Sequence, residues 1–184
     1  VHNEHVVAEL QRRGAIFVDE IKAIPQGARV LFSVHVVSPE VRKAAEARQL
    51  EIVDATCPFV AKVHAEARRF ATESAPIALI GHKGHDEVVG ILGEAPDRIH
   101  VIETVEDVVS LRQTLSEKTL MVLSQTTVSE AMYEARVAEL KQAGFDVCFP
   151  NALDICYATR ERQQAVRELA ARVECVLVLG SKNS

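Results

Sequence analysis

The chain has 184 residues, is 48% hydrophobic and 26% charged, and carries a net charge of -5. This composition is typical of a globular protein with a core, and the mild acidity argues against nucleic-acid binding, which needs a basic face. No apolar run is long enough to span a membrane, and no signal peptide is recognisable. Four cysteines at irregular spacing do not resemble a secreted disulfide framework, so we expect reduced thiols and a cytoplasmic location.

Strand and helix patterns alternate from one end of the chain to the other. The strand patterns are short, rich in Val, Ile and Leu, and apolar on both faces, as expected for strands covered by helices on two sides. Repeated strand–helix–strand units predict an α/β fold of small, mostly parallel sheets flanked by helices. The predicted strands are 15–18, 29–35, 51–57, 77–82, 99–103, 120–126, 146–149 and 175–180.

Start signals place the helices between these strands. Ser38 is an N-cap followed by proline at the first helical position, and Pro58 opens the next helix in the same way. Thr104 and Ser129 are further N-caps. The helix that begins at Pro58 should bury one face, which carries Val60, Val63, Ala67 and Phe70.

Polar side chains concentrate where the predicted strands end. In a parallel sheet these carboxyl ends lie along one edge, where ligands bind and where helix N-termini offer N–H groups to an anion. The sequence therefore predicts a site for a phosphorylated ligand at this edge. Its candidates lie in the stretches 33–35, 54–57, 81–87, 124–127 and 181–184.

The four cysteines divide into two pairs. Cys57 and Cys156 each stand directly before a predicted helix, a position that favours the thiolate, so a ligand or nucleophile role is preferred over core packing. Cys148 and Cys175 fall inside strand patterns, and core packing is expected for both.

Simpler interpretations of the histidines and acids stay open at this stage. His82 and His85 have a spacing compatible with zinc, although no CxxC or HExxH motif supports that metal. Glu87 alone could be a solvated carboxylate, and residues 124–127 could simply cap a helix. The other histidines would individually be surface residues, namely His2, His5, His64 and His100.

Seven motifs occur in the order and spacing of one family: VHN at 1–3, FSVHVVS at 32–38, DATCP at 54–58, GHKGHDEVVG at 81–90, SQTT at 124–127, DICYAT at 154–159 and GSKNS at 180–184. On these motifs the whole chain resembles the IspH/LytB family of 4-hydroxy-3-methylbut-2-enyl diphosphate reductases, which catalyse the last step of the methylerythritol phosphate route to isoprenoids. The resemblance implies pseudo-repeated lobes, three in the full-length family, around a central site. The lobes expected here are 1–57, 58–153 and the start of a third at 154–184.

The resemblance also implies a [4Fe-4S] cluster held by one cysteine from each lobe. Cys57 and Cys156 match two of these ligands, and the third belongs to a Gly-Phe-Cys strand that would precede Val1. Glu87 matches the proton-delivering carboxylate, with Thr126 in its relay. We therefore expect this chain to be part of a longer protein and to be inactive alone.

The substrate implied by the resemblance is an allylic alcohol diphosphate. Two electrons, from a donor of ferredoxin or flavodoxin type, and protons remove its hydroxyl as water and give isopentenyl or dimethylallyl diphosphate. A monomer or homodimer is expected, with neither nucleic acid nor membrane as a partner. The substrate-binding residues matched by position are His2, His35, His85, Gln125, Thr126 and Ser184.

The chain departs from the family pattern beside these residues. Val34 and Val36 flank His35 where alanine and glycine are usual, Asp86 replaces a proline and Ile91 a threonine. The departures favour an alternative, a non-catalytic α/β module that binds phosphate without a cluster. A zinc- or thiol-based redox sensor is a third interpretation, resting on Cys57 and the two histidines of the 81–90 motif.

Overall fold

The computed structural model describes residues 3–33, 37–73 and 75–179 of the chain. Helices and parallel strands alternate through this part, so the predicted α/β class is confirmed. Its strands are β1 (Arg29–Phe32), β2 (Glu51–Asp54), β3 (Ile77–Ile80), β4 (Ile99–Ile102), β5 (Thr119–Ser124) and β6 (Asp146–Cys148). Its α-helices are α1 (Glu4–Arg12), α2 (Pro39–Ala47), α3 (Pro58–Thr72), α4 (Asp86–Leu92), α5 (Val105–Thr114), α6 (Glu130–Gln142) and α7 (Tyr157–Ala170).

The larger sheet has the order β4-β3-β5-β6, and all its pairs are parallel. Its two inner strands, β3 and β5, bury both faces, as their continuous apolar sequences predict. In β3, Ile77 and Leu79 pack against α3 and α4, whereas Ala78 and Ile80 pack against α5 and α6. This two-sided core fixes the sheet, and therefore the edge at which its strands end.

The smaller sheet pairs only β1 with β2, also in parallel. Its core is a separate cluster in which Phe32 and Ala45 pack with Ile24 and Leu50. Gly93, which ends α4, lies against the start of α2: a Cβ at this position would stand 2.8 Å from Ser38 Cβ and 3.2 Å from Pro39 Cδ. The predicted lobe boundaries stay a prediction.

The helix start signals act as the sequence predicted. Ser38 Oγ accepts from the Val41 amide at 3.4 Å, and Ser129 Oγ accepts from the Met132 amide at 3.1 Å. Thr104 forms a capping box with its N3 residue, Asp107. The predicted face of α3 is also confirmed, because Val60, Val63, Ala67 and Phe70 are all buried.

Two predicted strands are wrong in the part of the chain that the structure describes. Residues 15–18 and 175–179 form no ladder with another strand. Without a partner their apolar side chains stay in water, with Ile16 87% and Leu177 81% exposed. Residue 180, the last of the second predicted strand, lies outside the described residues.

Three burial predictions are also wrong. Cys148 is exposed because β6 is the edge strand of its sheet, and Cys175 is exposed because its segment joins no sheet. His64, which was predicted to be a surface residue, is only 2% exposed. It lies on α3, and its Nδ1 is 2.7 Å from Oε1 of Glu94, which follows α4. Among the helices in the described ranges, none has the length and apolar character required to cross a membrane.

Candidate active site

Glu87 is a fully buried acid at the start of α4, beneath the carboxyl edge of the larger sheet. The Thr126 amide donates to its Oε1 at 2.7 Å, and the Thr126 hydroxyl lies 3.0 Å from its Oε2. Thr126 lies in the turn after β5, and Glu87 lies in the segment after the neighbouring strand β3. The ends of two paired strands therefore hold each other through these hydrogen bonds. The interpretation of Glu87 as a solvated carboxylate is wrong.

Burial raises the pKa of Glu87, and the two hydrogen bonds from Thr126 only partly oppose this effect. Both donors are uncharged, so neither of them brings a positive charge that would stabilise the ionised form of this carboxyl group. A carboxylic acid with a raised pKa can hold a proton at a pH where an ordinary glutamate would have lost it. The arrangement suits a proton donor.

Gln125 joins the turn after β3 to the turn after β5. Its Oε1 accepts from the His82 amide at 3.0 Å, and its Nε2 donates to Thr127 Oγ1 at 2.7 Å. The close approach depends on Gly81, where a Cβ would lie 2.7 Å from Val88 Cγ2 and 3.1 Å from Gln125 Cβ. Gln125 is therefore a connecting residue between the two strand ends that carry Glu87 and Thr126.

His85 caps α4 and is oriented by the backbone. Its Nδ1 accepts from the Glu87 amide at 3.2 Å, so in the neutral imidazole the proton resides on Nε2. The preceding turn is tied to the start of α5, where His82 Nδ1 lies 3.0 Å from Glu103 Oε1 and Lys83 pairs with Asp107. The chain thus fixes an N–H donor beside the buried acid.

Cys57 and Cys156 line one open cavity of about 420 Å³, together with Thr126. Cys57 is the N-cap of α3 and Cys156 the N-cap of α7, yet neither side chain makes a capping hydrogen bond. Both thiols are free. The Cys156 amide donates to the Thr126 carbonyl at 2.9 Å, which links this cysteine to the residue that holds Glu87.

This convergence of two thiols on a cavity next to a buried acid is accompanied by a family match. The LytB protein family model matches residues 1–184. The chain belongs to this family. The resemblance stated from the sequence motifs is therefore confirmed.

Curated relatives in the LytB family extend well beyond the chain. It is 49% identical over 184 residues to the 4-hydroxy-3-methylbut-2-enyl diphosphate reductase of Corynebacterium diphtheriae, covering 100% of the chain and 55% of that protein. The enzyme of the same name from Cutibacterium acnes is 48% identical, with 100% of the chain and 57% of that protein covered. The chain spans about half the length of these relatives.

Solved structures agree with the LytB assignment. The E-1-hydroxy-2-methyl-but-2-enyl-4-diphosphate reductase of Plasmodium falciparum superposes with a TM-score of 0.90 at 36% identity, over 100% of this chain and 57% of that one. A second structure, of (E)-4-hydroxy-3-methyl-but-2-enyl diphosphate reductase, gives 0.78 at 30% identity, over 100% and 64% of the two chains.

Several residues of the LytB resemblance are not placed by the structure. His2, His35 and Ser184 lie outside the described residues, as do Val34 and Val36. Of the two remaining departures, Asp86 is an exposed first-turn acid of α4, whereas Ile91 is fully buried in the core between α3 and α4. The substitution at 91 thus has a packing role.

The zinc alternative gains no support from the described part of this LytB chain. Within those ranges there is no group of three or more His, Cys, Asp or Glu side chains that could hold a metal ion. His82 pairs with Glu103 instead, on the side of the turn that faces α5.

The sequence reasoning missed several side chains that line the cavity with the two cysteines. Arg162 adds a cation, and Thr159 and Gln163 add hydrogen-bonding groups, whereas Thr127, which also lines the cavity, belongs to the predicted stretch 124–127. The periodicity of helix α7 was the available signal. Thr159 follows Cys156 by three residues, and Arg162 and Gln163 follow Thr159 by three and four, so all of them lie on the same face of the helix as Cys156.

Proposed function

We propose that the protein to which this chain belongs is a 4-hydroxy-3-methylbut-2-enyl diphosphate reductase that carries a [4Fe-4S] cluster. The observation that supports this most strongly is the shared cavity: Cys57, Cys156 and Thr126 line it, and Thr126 holds the buried Glu87. The names of the curated relatives point to the same reaction.

The residues present fit two of the three protein ligands that the cluster needs. Neither Cys57 nor Cys156 forms a disulfide, and neither side chain caps the helix that it precedes, so both sulfur atoms could coordinate iron, as cysteine does in iron–sulfur clusters. The third cysteine would come from a strand preceding Val1. When bound, the cluster supplies the electrons and the Lewis-acid iron for reductive removal of the substrate hydroxyl.

The proposed role of Glu87 and Thr126 is to deliver a proton into the cavity. Glu87 holds the proton because burial raises its pKa, and Thr126 Oγ1, at 3.0 Å, can accept a proton from it. The same hydroxyl can then donate its own proton to a substrate atom, since Thr126 lines the cavity. Such a relay keeps the acid away from bulk water.

The proposed diphosphate site uses groups at the same edge. His85 presents Nε2 as a donor because its Nδ1 is engaged by the Glu87 amide. Gln125 holds the turn that carries His85 and extends its amide to Thr127, so its contribution to substrate binding would come through these positions. We assign His2, His35 and Ser184 to the diphosphate by the family motif, as proposals.

An iron assay of the full-length protein tests the function. Purified without oxygen, or loaded with iron and sulfide, it should be brown, absorb broadly in the visible range and convert the allylic diphosphate with a chemical reductant. A colourless protein that binds the diphosphate but takes up no iron would overturn the reductase proposal and favour the phosphate-binding module. A ferredoxin or flavodoxin donor, a cytoplasmic location and a monomeric or homodimeric state stay predictions.

A further inference from the structure

Lys62 of α3 reaches across to the segment that precedes Cys156. Its Nζ donates to the Ala152 carbonyl at 2.6 Å and lies 2.9 Å from Asp154 Oδ1; the Leu153 carbonyl is at 3.4 Å. One ammonium group thus contacts three consecutive residues. These contacts join parts of the chain that are 90 or more positions apart in sequence.

Asp154 is buried, only 5% exposed, and both of its oxygens are engaged. While Oδ1 faces Lys62, Oδ2 accepts from the Ser124 amide at 3.0 Å, at the end of β5. A buried carboxylate with a cation on one side and a backbone donor on the other is fixed in place. The segment 152–154 is therefore anchored to α3 and to the larger sheet together.

The anchored residues stand close to both cysteines of the cavity. Lys62 lies in the second turn of the helix that begins after Cys57, and Asp154 is two residues before Cys156. A second contact joins the same two helix starts, because the rings of Phe59 and Tyr157 are 5.5 Å apart between centroids. The two helix starts that carry Cys57 and Cys156 are thus held together by the Lys62–Asp154 ion pair and by this ring contact.

We propose that Lys62 is a positioning residue that sets the spacing between Cys57 and Cys156 before any cluster is bound. This inference rests on the proposed function, because the spacing matters only if the two cysteines bind a cluster. The spacing itself should already exist in the protein without its cluster. Without the ammonium group, Asp154 would be a buried carboxylate lacking its cation, and the segment 152–156 would move toward water to hydrate it. That movement carries Cys156 away from Cys57.

The first test measures the spacing in the full-length protein without its cluster. Dibromobimane bridges two neighbouring thiols, and peptide mapping identifies the Cys57–Cys156 product among other cysteines. The wild type should give this bridged product, and Lys62→Met should form it more slowly, with Lys62→Arg restoring part of the rate. A wild type that forms no such bridge, or equal rates in Lys62→Met and the wild type, would overturn the proposal.

The second test follows loss of a loaded cluster to an iron chelator without oxygen. Removing a group that orients a metal ligand should accelerate the loss about tenfold in Lys62→Met. Asp154→Asn keeps the shape and an acceptor for the Ser124 amide, so it should fold if Lys62→Met does not, and it should show the same acceleration. Unchanged loss in both variants would contradict the proposal.

Two matched controls separate positioning from general destabilisation. Lys43→Met removes an exposed lysine of α2, and Val108→Ala weakens the core on the opposite face of the larger sheet. Neither should change bridging or cluster loss, even though Val108→Ala lowers the melting temperature. Acceleration in Val108→Ala equal to that in Lys62→Met would overturn the positioning role. A wild type that bridges in a Lys62-dependent way but never takes up iron would refute the reductase function alone.

Discussion

Two buried acids lie under the same sheet edge, and their partners differ. In the described residues, Glu87 accepts hydrogen bonds from two uncharged donors of Thr126, whereas Asp154 faces the ammonium of Lys62 and the Ser124 amide. Burial raises the pKa of both carboxyl groups; at Asp154 the contact with Lys62 opposes this effect, and at Glu87 the hydrogen bonds from Thr126 do. The difference fits the two roles proposed above, proton exchange for Glu87 and a structural anchor for Asp154.

The largest effect that this comparison predicts is on catalysis. Glu87→Gln in the full-length protein keeps an acceptor for the Thr126 amide but has no acidic proton, so turnover should fall by about 10²-fold or more. The cluster should be retained, which visible absorption and iron content would show. Glu134→Gln, at an exposed position of α6, is the control with no expected change. Turnover near that of the wild type would reject Glu87 as the proton donor.

Removing the cation that pairs with Asp154 should lower the stability of the protein. Lys62→Met leaves Asp154 without its cation, and because Lys62 is about one-third exposed, the free energy of unfolding should fall by about 2 kcal/mol, below the range for fully buried pairs. Urea denaturation of the cluster-free protein measures this loss. The double variant Lys62→Met/Asp154→Asn should recover part of it, since no buried charge is left unpaired. Strict additivity of the two single effects would show that the pair is not coupled.

Thr126→Val tests the relay between Glu87 and the cavity. The valine keeps the backbone donor to Oε1 and removes the hydroxyl near Oε2. Because Glu87 itself is retained, turnover should fall about tenfold, less than the roughly 10²- to 10⁴-fold effect of losing a general acid. Thr126→Ser retains the hydroxyl and is the matched control. Equal kinetics for the valine and serine variants would mean that the hydroxyl carries no proton.

The smallest expected effect is a pH dependence of stability. Because the folded state raises the pKa of Glu87, it binds more protons than the unfolded state between the ordinary and the raised pKa, and stability falls as pH rises through that window. Glu87→Gln does not titrate, so its stability relative to the wild type should increase with pH, by at most about 1.4 kcal/mol per pH unit. Urea titrations from acidic to neutral pH would measure this difference, and a constant difference would contradict the raised pKa.

The sequence could predict the parts of the fold that follow from local patterns. The six strands of the two sheets and the helix starts at Ser38, Pro58, Thr104 and Ser129 all rest on periodicity or capping within a few residues. The convergence of Cys57 and Cys156 could also be anticipated, although only from the family resemblance, which matches both to ligands of one cluster; the residue pattern alone indicates that each precedes a helix.

The predicted strand ends were too long for a reason that depends on distant residues. Strands predicted to reach 82 and 126 stop at Ile80 and Ser124. Two residues beyond each end the amide binds a side chain instead of a neighbouring strand: the His82 amide binds Gln125, and the Thr126 amide binds Glu87. Local apolar pattern does not reveal an acceptor that lies about forty residues away.

Sequence patterns also could not predict whether single residues such as His64 and Cys148 would be buried or exposed. His64 is buried because Glu94, thirty residues later, provides its partner, and Cys148 is exposed because no strand follows β6 in its sheet. Each outcome depends on which elements become neighbours. A pattern read along one segment contains no information about that neighbour.

Gly93 allows the end of α4 and the start of α2 to pack in direct contact. Its backbone has φ -63°, which any residue adopts, so conformational freedom is not the reason for glycine here. The reason is the contact with Ser38 and Pro39, which leaves no room for a methyl group. Alanine at this position would push the start of α2 away from the end of α4, and its effect would begin outside the cavity lined by Cys57 and Cys156. Inactivating changes in this protein need not map to its cavity.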